Sequence, residues 1–377
     1  MMEPVDPATL GPLPAPFWFI QFFKVLGFIL HMVPMNLWFA GMFLTLVLYR
    51  REGPARHWAE RMATLMPVII AFGVNFGIVP LLFIQVAYPW AFYPATILTA
   101  WFWLAIIGLL LVAYYGVYAF AFGVTPDRPM PAWRYIAGWV AAVFFLIIAI
   151  LFSNGMSLMA APERWKSIWL AHQVAGAATG TGHNFADSSL WHRWPMVLGM
   201  AFLTTAAWSL IDGMFFDAKA DASYRQWLTK YAFVIGIIGA VIYVGSGTGY
   251  VFGSWPKEVF QYMWSGWRLP LTVLTGASPA LVLVVLFLIR IRGLSPLTAA
   301  LAGVAQLVVI TLNAVSRQIV QNIELAHYAP VWKIPEKPDW GPMALFLGTF
   351  AVGTVVLVWM LQQLVRVHRG EPSVAES

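Results

Sequence analysis

The 377-residue chain has no cysteine. That excludes disulfides, iron–sulfur clusters held by thiolates, and covalent haem attachment through Cys-x-x-Cys-His. Charge is scarce too, at 10% of residues. The formal charge of +6 is scattered over short connections rather than along one stripe, which argues against a nucleic-acid surface. No segment reads as a strand, so no glycine-rich loop follows one to hold phosphate. No Lys or Arg occurs before Phe17, and the apolar run that follows is too long for a signal-peptide core, so it is expected to stay as an anchor.

What the chain has in abundance is apolar surface: 60% hydrophobic residues and a mean hydropathy of +0.75. No soluble globular domain has such a composition, and the expected fold is all-α, a single polytopic bundle of about nine membrane helices over residues 1–377. The runs are Phe17 to Tyr49, Ala63 to Tyr88, Ala95 to Phe122, Tyr135 to Ala160, Trp194 to Phe216, Tyr231 to Phe252, Arg268 to Ile289, Leu297 to Leu325 and Met343 to Val365. Each is long enough to cross about 30 Å of hydrocarbon at 1.5 Å per residue. An aromatic turn, Pro89 to Pro94, separates the second from the third, and the segment 161–193 is the longest break. Arg50, Arg51, Arg56, Arg61, Arg128, Arg134, Lys219, Arg225, Lys230, Arg290, Arg292, Arg366 and Arg369 cluster in alternate connections. The positive-inside rule then places the amino terminus outside and the carboxyl terminus in the cytoplasm, in a cell (cytoplasmic or inner) membrane.

Few polar side chains interrupt these runs. His31 lies deep in the first, where an ionisable ring is costly unless it meets a partner, a cavity or a metal; a neutral imidazole is a standard haem-iron ligand, and a hydrogen bond to a neighbouring helix is the plainer alternative. Lys24 stands two turns earlier on the same face, within reach of the interface or of a haem propionate. In the eighth run Asn313, Arg317 and Gln321 share one face, which must point into the bundle. Arg317 reads either as a partner for a propionate or as the ion-pair partner of Glu324. His192, with Met196 one turn on, reads either as a pair able to face iron or as an interfacial histidine between Trp191 and Trp194. His172 and His183 match no compact metal motif. His57, His327 and His368 sit at membrane surfaces. Aromatic belts account for the 16% aromatic content.

These pieces together resemble the first subunit of cytochrome bd-type quinol oxidases. His31 with Pro34 resembles the first-span histidine that ligates a high-spin haem in that family, and Asn75-Phe76-Gly77 and Ser153-Asn154-Gly155-Met156 resemble its second and fourth spans. His192-Arg193-Trp194-Pro195-Met196, Trp267-Arg268 and Ser316-Arg317-Gln318 resemble the starts of its fifth and seventh spans and its Gly-Arg-Gln-Pro-Trp signature. The departures are specific. Met196 stands where the family has a low-spin haem histidine, and Pro270 where it has the methionine. No acid lies between Ala95 and Phe122, Ala314 replaces the acid before the signature, and the long quinol loop shrinks to Gly253 to Trp267.

The resemblance implies a membrane-embedded, haem-binding electron-transfer subunit of a respiratory complex, with non-covalent haem. His31 is the expected iron ligand, and His192, Met196, Lys24 and Arg317 are further haem-site residues. A terminal oxidase or quinol oxidoreductase with rebuilt haem sites is the alternative within that class, and a transporter or channel without haem the alternative outside it. Its polar candidates, Asp212 apart, lie in the outer half or near the middle of their spans. The expected partner is therefore a cytochrome c or membrane oxidoreductase subunit on the outer face.

Overall fold

The computed structural model describes residues 5–125 and 128–368; Arg369, read above as an inner-side basic signal, lies outside the described residues. Among them are nine helices long and apolar enough to cross a membrane, as the hydropathy pattern predicts. They are α1 (Phe17–Tyr49, broken for one residue at Ala40), α2 (Pro54–Ala87), α3 (Ala100–Ala121), α4 (Ala132–Met159), α5 (Ser188–Phe216), α6 (Ala222–Ser254), α7 (Arg268–Arg292), α8 (Pro296–Ala326) and α9 (Trp340–His368).

Several spans extend beyond their apolar runs, because local chemistry starts or stops a helix where hydropathy does not. Pro54 and Pro296 occupy the first turns of α2 and α8, where a missing N–H costs nothing. Ser295 and Thr298 form a capping box on α8. Gly293, at φ +87°, ends α7 in a conformation that side chains disfavour. The expected turn at Pro89 is instead a separate helix, Pro89–Leu98, so α3 begins at Ala100 rather than Ala95.

Of the nine, α1 is the most buried and α9 the least. The first helix is therefore the centre of the bundle, and the ninth leaves most of its apolar surface uncovered by the rest of the described chain. The larger core gathers Met32, Leu46, Trp58, Met66, Phe145, Met200, Tyr243 and Val309 around α1. A second core, at the end that carries the amino terminus, gathers Phe19, Phe23, Tyr88, Leu158 and Leu325. The closest helix approach is between α5 and α6: a Cβ on Gly199 would lie 2.5 Å from the Tyr243 amide nitrogen and 2.6 Å from the Gly239 carbonyl oxygen. Small residues let backbones meet where lipid gives no hydrophobic drive to association. Polar ties cross the same interior. Asn36 Nδ2 and Gln306 Nε2 both donate to Thr204 Oγ1, at 2.9 and 2.8 Å, joining α1, α5 and α8.

The connections at the amino-terminal end are built rather than loose. The segment before α5 contains a short helix, Trp165–Ala171, and a two-residue antiparallel pair, β1 (Gln173–Val174) with β2 (Ala177–Ala178), which the sequence pattern does not show. Asn154 Oδ1 accepts the Asn184 amide at 2.7 Å, and Arg164 donates to Asn184 Oδ1 at 2.8 Å, so this segment is fastened to α4. The strand-like stretch around Leu13 pairs with Pro335 and Lys337, and Glu336 accepts the Phe17 amide at the start of α1.

Candidate functional site

His31 is held by two glycines of α2. Its Nδ1 lies 2.8 Å from the Gly73 carbonyl oxygen. A carbonyl only accepts, so Nδ1 carries the proton and a neutral ring keeps its lone pair on Nε2. This is the tautomer that second-sphere hydrogen bonds impose on metal-bound histidines. A Cβ at Gly77 would come within 2.9 Å of the His31 ring, and one at Gly73 within 2.1 Å of the Trp38 ring. The two glycines, one turn apart, thus open a slot on α2 for His31 and Trp38 of α1. Among the described residues no hydrogen bond engages Nε2, and the residue as a whole keeps some exposed surface. Asn75, part of the same motif, faces outward and donates to the Ala71 carbonyl at 2.8 Å.

The polar face of α8 meets α1 and the α2 terminus. Buried Lys24 donates to Gln321 Oε1 and lies 4.8 Å from the Tyr88 ring centre. Buried Tyr88 donates to Asn322, which also accepts from Gln318 at 2.8 Å. Asn313 donates to Tyr243 on α6 at 3.2 Å. Arg317 is different. Its guanidinium stacks 4.4 Å from the Phe28 ring centre, keeps exposed surface, and among the described residues forms no ion pair, with Glu324 or with any other acid. Arg193, Tyr250 and Glu324 lie within its electrostatic reach, and Arg317 lies within that of His31. Three cations, Lys24, Arg193 and Arg317, therefore converge on the amino-terminal half of the bundle without a paired carboxylate.

His192 and Met196 stand together on the α5 face toward α6, but in a tighter setting. His192 Nδ1 lies 2.7 Å from Ser254 Oγ, a Cβ at Gly249 would come within 2.8 Å of its Nε2, and Met196 Sδ would lie 3.4 Å from one at Gly247. His172 and His183 pack ring against ring, 5.5 Å between centres, and among the described residues no group of three or more His, Cys, Asp or Glu could hold a metal ion. At the opposite end of the bundle His57 Nε2 is 2.6 Å from Asp217 Oδ2, and Arg61 grips Asp212. Sequence reasoning gave no role to Arg193, Tyr88 or Tyr250. Arg193 sits inside the quoted His192-Arg193-Trp194 stretch and was within its reach; nothing in the sequence marks the two tyrosines.

The described chain superimposes on a chain of the bd oxidase from Geobacillus thermodenitrificans with a TM-score of 0.65, covering 96% of this chain and 100% of that one at 12% identity. The fold is bd-oxidase-like. No protein-family model matches the chain, and no curated protein matches it in sequence. At this identity the likeness establishes the fold, and a multi-pass membrane protein with it, while function rests on the residues.

Proposed function

We propose that the chain is a membrane-embedded, haem-binding electron-transfer subunit of a respiratory complex. His31 Nε2 would ligate the iron, and Arg317, with Lys24 and Arg193 near it, would hold the propionate side. One observation carries the reading: a mid-span imidazole whose Nδ1–H is fixed on the Gly73 carbonyl, in the neighbourhood of an arginine, where among the described residues Nε2 has no hydrogen bond and the arginine no ion pair. The residues fit the group. Gly77 gives the ring its space, and the cations, with which no carboxylate forms an ion pair among the described residues, would answer the two propionates. A bound haem supplies a one-electron iron couple, which the surrounding charge and hydrogen bonds tune. His192 and Met196 rank second as ligands, because the Gly249 position lies against the Nε2 edge of His192, the edge that iron would need. A visible absorption spectrum of the purified protein tests the reading; a folded protein without a Soret band sinks it and leaves the transporter alternative.

Arg317→Gln is expected to keep the haem and lower its midpoint potential. Removing a cation disfavours the reduced, more negative state, by on the order of 1 kcal/mol at an effective dielectric near 20. Redox titration measures it, and an unchanged or raised potential contradicts the placement of Arg317 beside the cofactor.

With the amino terminus outside, as the positive-inside rule orients the chain, the cofactor lies nearer the outer face. The partner is then a cytochrome c or a membrane oxidoreductase subunit that meets the segments 161–187 and 327–339. Cross-linking from Lys166 and Lys333 is expected to capture a redox protein. Capture only through the connections around Arg51 and Arg225, with no redox centre on the other side, reverses the assignment.

A further inference from the structure

We propose that Glu324 is a redox-linked proton acceptor, standing between the haem pocket read at His31 and the water at the amino-terminal end of the bundle; this rests on that haem reading. Glu324 follows Arg317 by two turns on the same face of α8 and stands close to the end of that helix at Ala326. Its side chain is only half-buried, and among the described residues it forms no ion pair.

The charged and titratable groups within its electrostatic reach come from several elements. Arg193 stands on α5 and Asp187 at its cap, Glu163 in the connection after α4, Tyr250 in the last turns of α6, and Arg317 on its own helix. Lys257 and Glu258 begin a short helix that packs against α8 near Val320 and Ile323, and Lys333 lies in the turn that follows α8. Lys24 of α1 is one turn deeper, engaged with Gln321. The other two carboxylates within its reach each accept at least one protein hydrogen bond. Asp187 accepts the Ser189 amide on one oxygen and the Ser189 hydroxyl on the other, each at 2.9 Å, and Glu163 accepts the Tyr328 hydroxyl. Burial and the bond to Glu163 push the Tyr328 phenol upward, so it stays a donor.

An electron added near Arg317 raises the negative charge of a poorly solvated region, and some group must offset it. Arginine is already charged and has no further site for a proton, and a neutral tyrosine can only lose one. Glu324 is the carboxylate on the helix face that carries Arg317, it is half-buried, and among the described residues neither of its oxygens accepts a protein hydrogen bond. When a bound haem is reduced by a one-electron donor, a reduced cytochrome or a mediator dye, one proton from water at the amino-terminal end would join a Glu324 carboxylate oxygen. Oxidation returns the electron and the proton, so the net charge of the site is unchanged through the cycle.

Redox titration of the haem band between about pH 5.5 and pH 8.5 tests the proposal. Uptake of a proton on reduction requires the midpoint potential to fall as pH rises, by at most a tenfold change in the reduced-to-oxidised ratio per pH unit, about 59 mV for one electron. Glu324→Gln, which keeps shape and removes the titrating group, is expected to flatten that slope while the Soret band persists. A slope that survives in Glu324→Gln overturns the proposal and leaves the haem reading intact. Absence of haem from the wild-type protein overturns both. Should the Gln variant lose its haem, the wild-type redox-difference infrared spectrum decides: a carboxylic C=O band that appears on reduction supports Glu324 protonation, and its absence overturns it.

Discussion

Replacing His31 with Ala is expected to abolish the haem absorption of the purified protein while its helical content and detergent-solubilised size stay those of the wild type. The imidazole sits in a slot cut by Gly73 and Gly77, so its removal leaves a space rather than a clash, and the surrounding helices keep their packing. The hydrogen bond lost, from Nδ1 to the Gly73 carbonyl, is one of several links between α1 and α2, and a single neutral hydrogen bond contributes only about 1 kcal/mol. A structural role therefore predicts a small stability change and an unchanged spectrum, whereas a ligand role predicts loss of the band. His31→Gly with added imidazole separates the two further. The free base can enter the vacated slot and supply the same nitrogen, so a returning Soret band identifies the ligand. A folded His31→Ala protein with a wild-type spectrum would sink the assignment.

The spans and the polar residues within them were legible because both are local properties of the chain. Lys24, His31 and Arg317 announce themselves as charges or an ionisable ring in runs that should contain none, and the shared face of Asn313, Arg317 and Gln321 follows from helical spacing alone. What those residues meet is set by which helices touch. Tyr88 reads as an interfacial aromatic, and only the approach of α8 to the end of α2 makes it the hydroxyl that bonds Asn322. Gly73 looks like any glycine in an apolar run until α1 lies against it. The first turn of α2 was hidden for a different reason. Arg56, His57, Glu60 and Arg61 make it look like a loop, but helical structure places Arg56 against Glu60 and leaves Arg61 facing α5. The β1–β2 pair escaped notice because two-residue strands carry no alternation to read; Ala175 and Gly176, both at positive φ, make the turn.

Arg61 and Asp212 give the second large expected effect, at the end of the bundle opposite the candidate site. Arg61 Nη2 donates to Asp212 Oδ1 at 2.7 Å and Nε donates to the other oxygen, a bidentate grip between α2 and the π-helical last turn of α5. Asp212 is 3% exposed, so Arg61→Ala leaves a buried carboxylate without its bidentate partner. Breaking a buried pair from one side costs about 3–5 kcal/mol, whereas replacing both partners by apolar residues of similar volume is often close to neutral. Thermal unfolding in detergent should therefore show Arg61→Ala as strongly destabilised and the double variant Arg61→Met, Asp212→Leu as recovering most of the loss. Haem absorption, if present, should survive in the double variant, since His31, Lys24 and Arg317 lie toward the amino-terminal half of the bundle. The neighbouring contact between His57 of α2 and Asp217, the residue just past α5, remains at this end of the bundle. Additive losses from the two single substitutions would mean that the charges act independently, and the pair would then not be what fastens this end of the bundle.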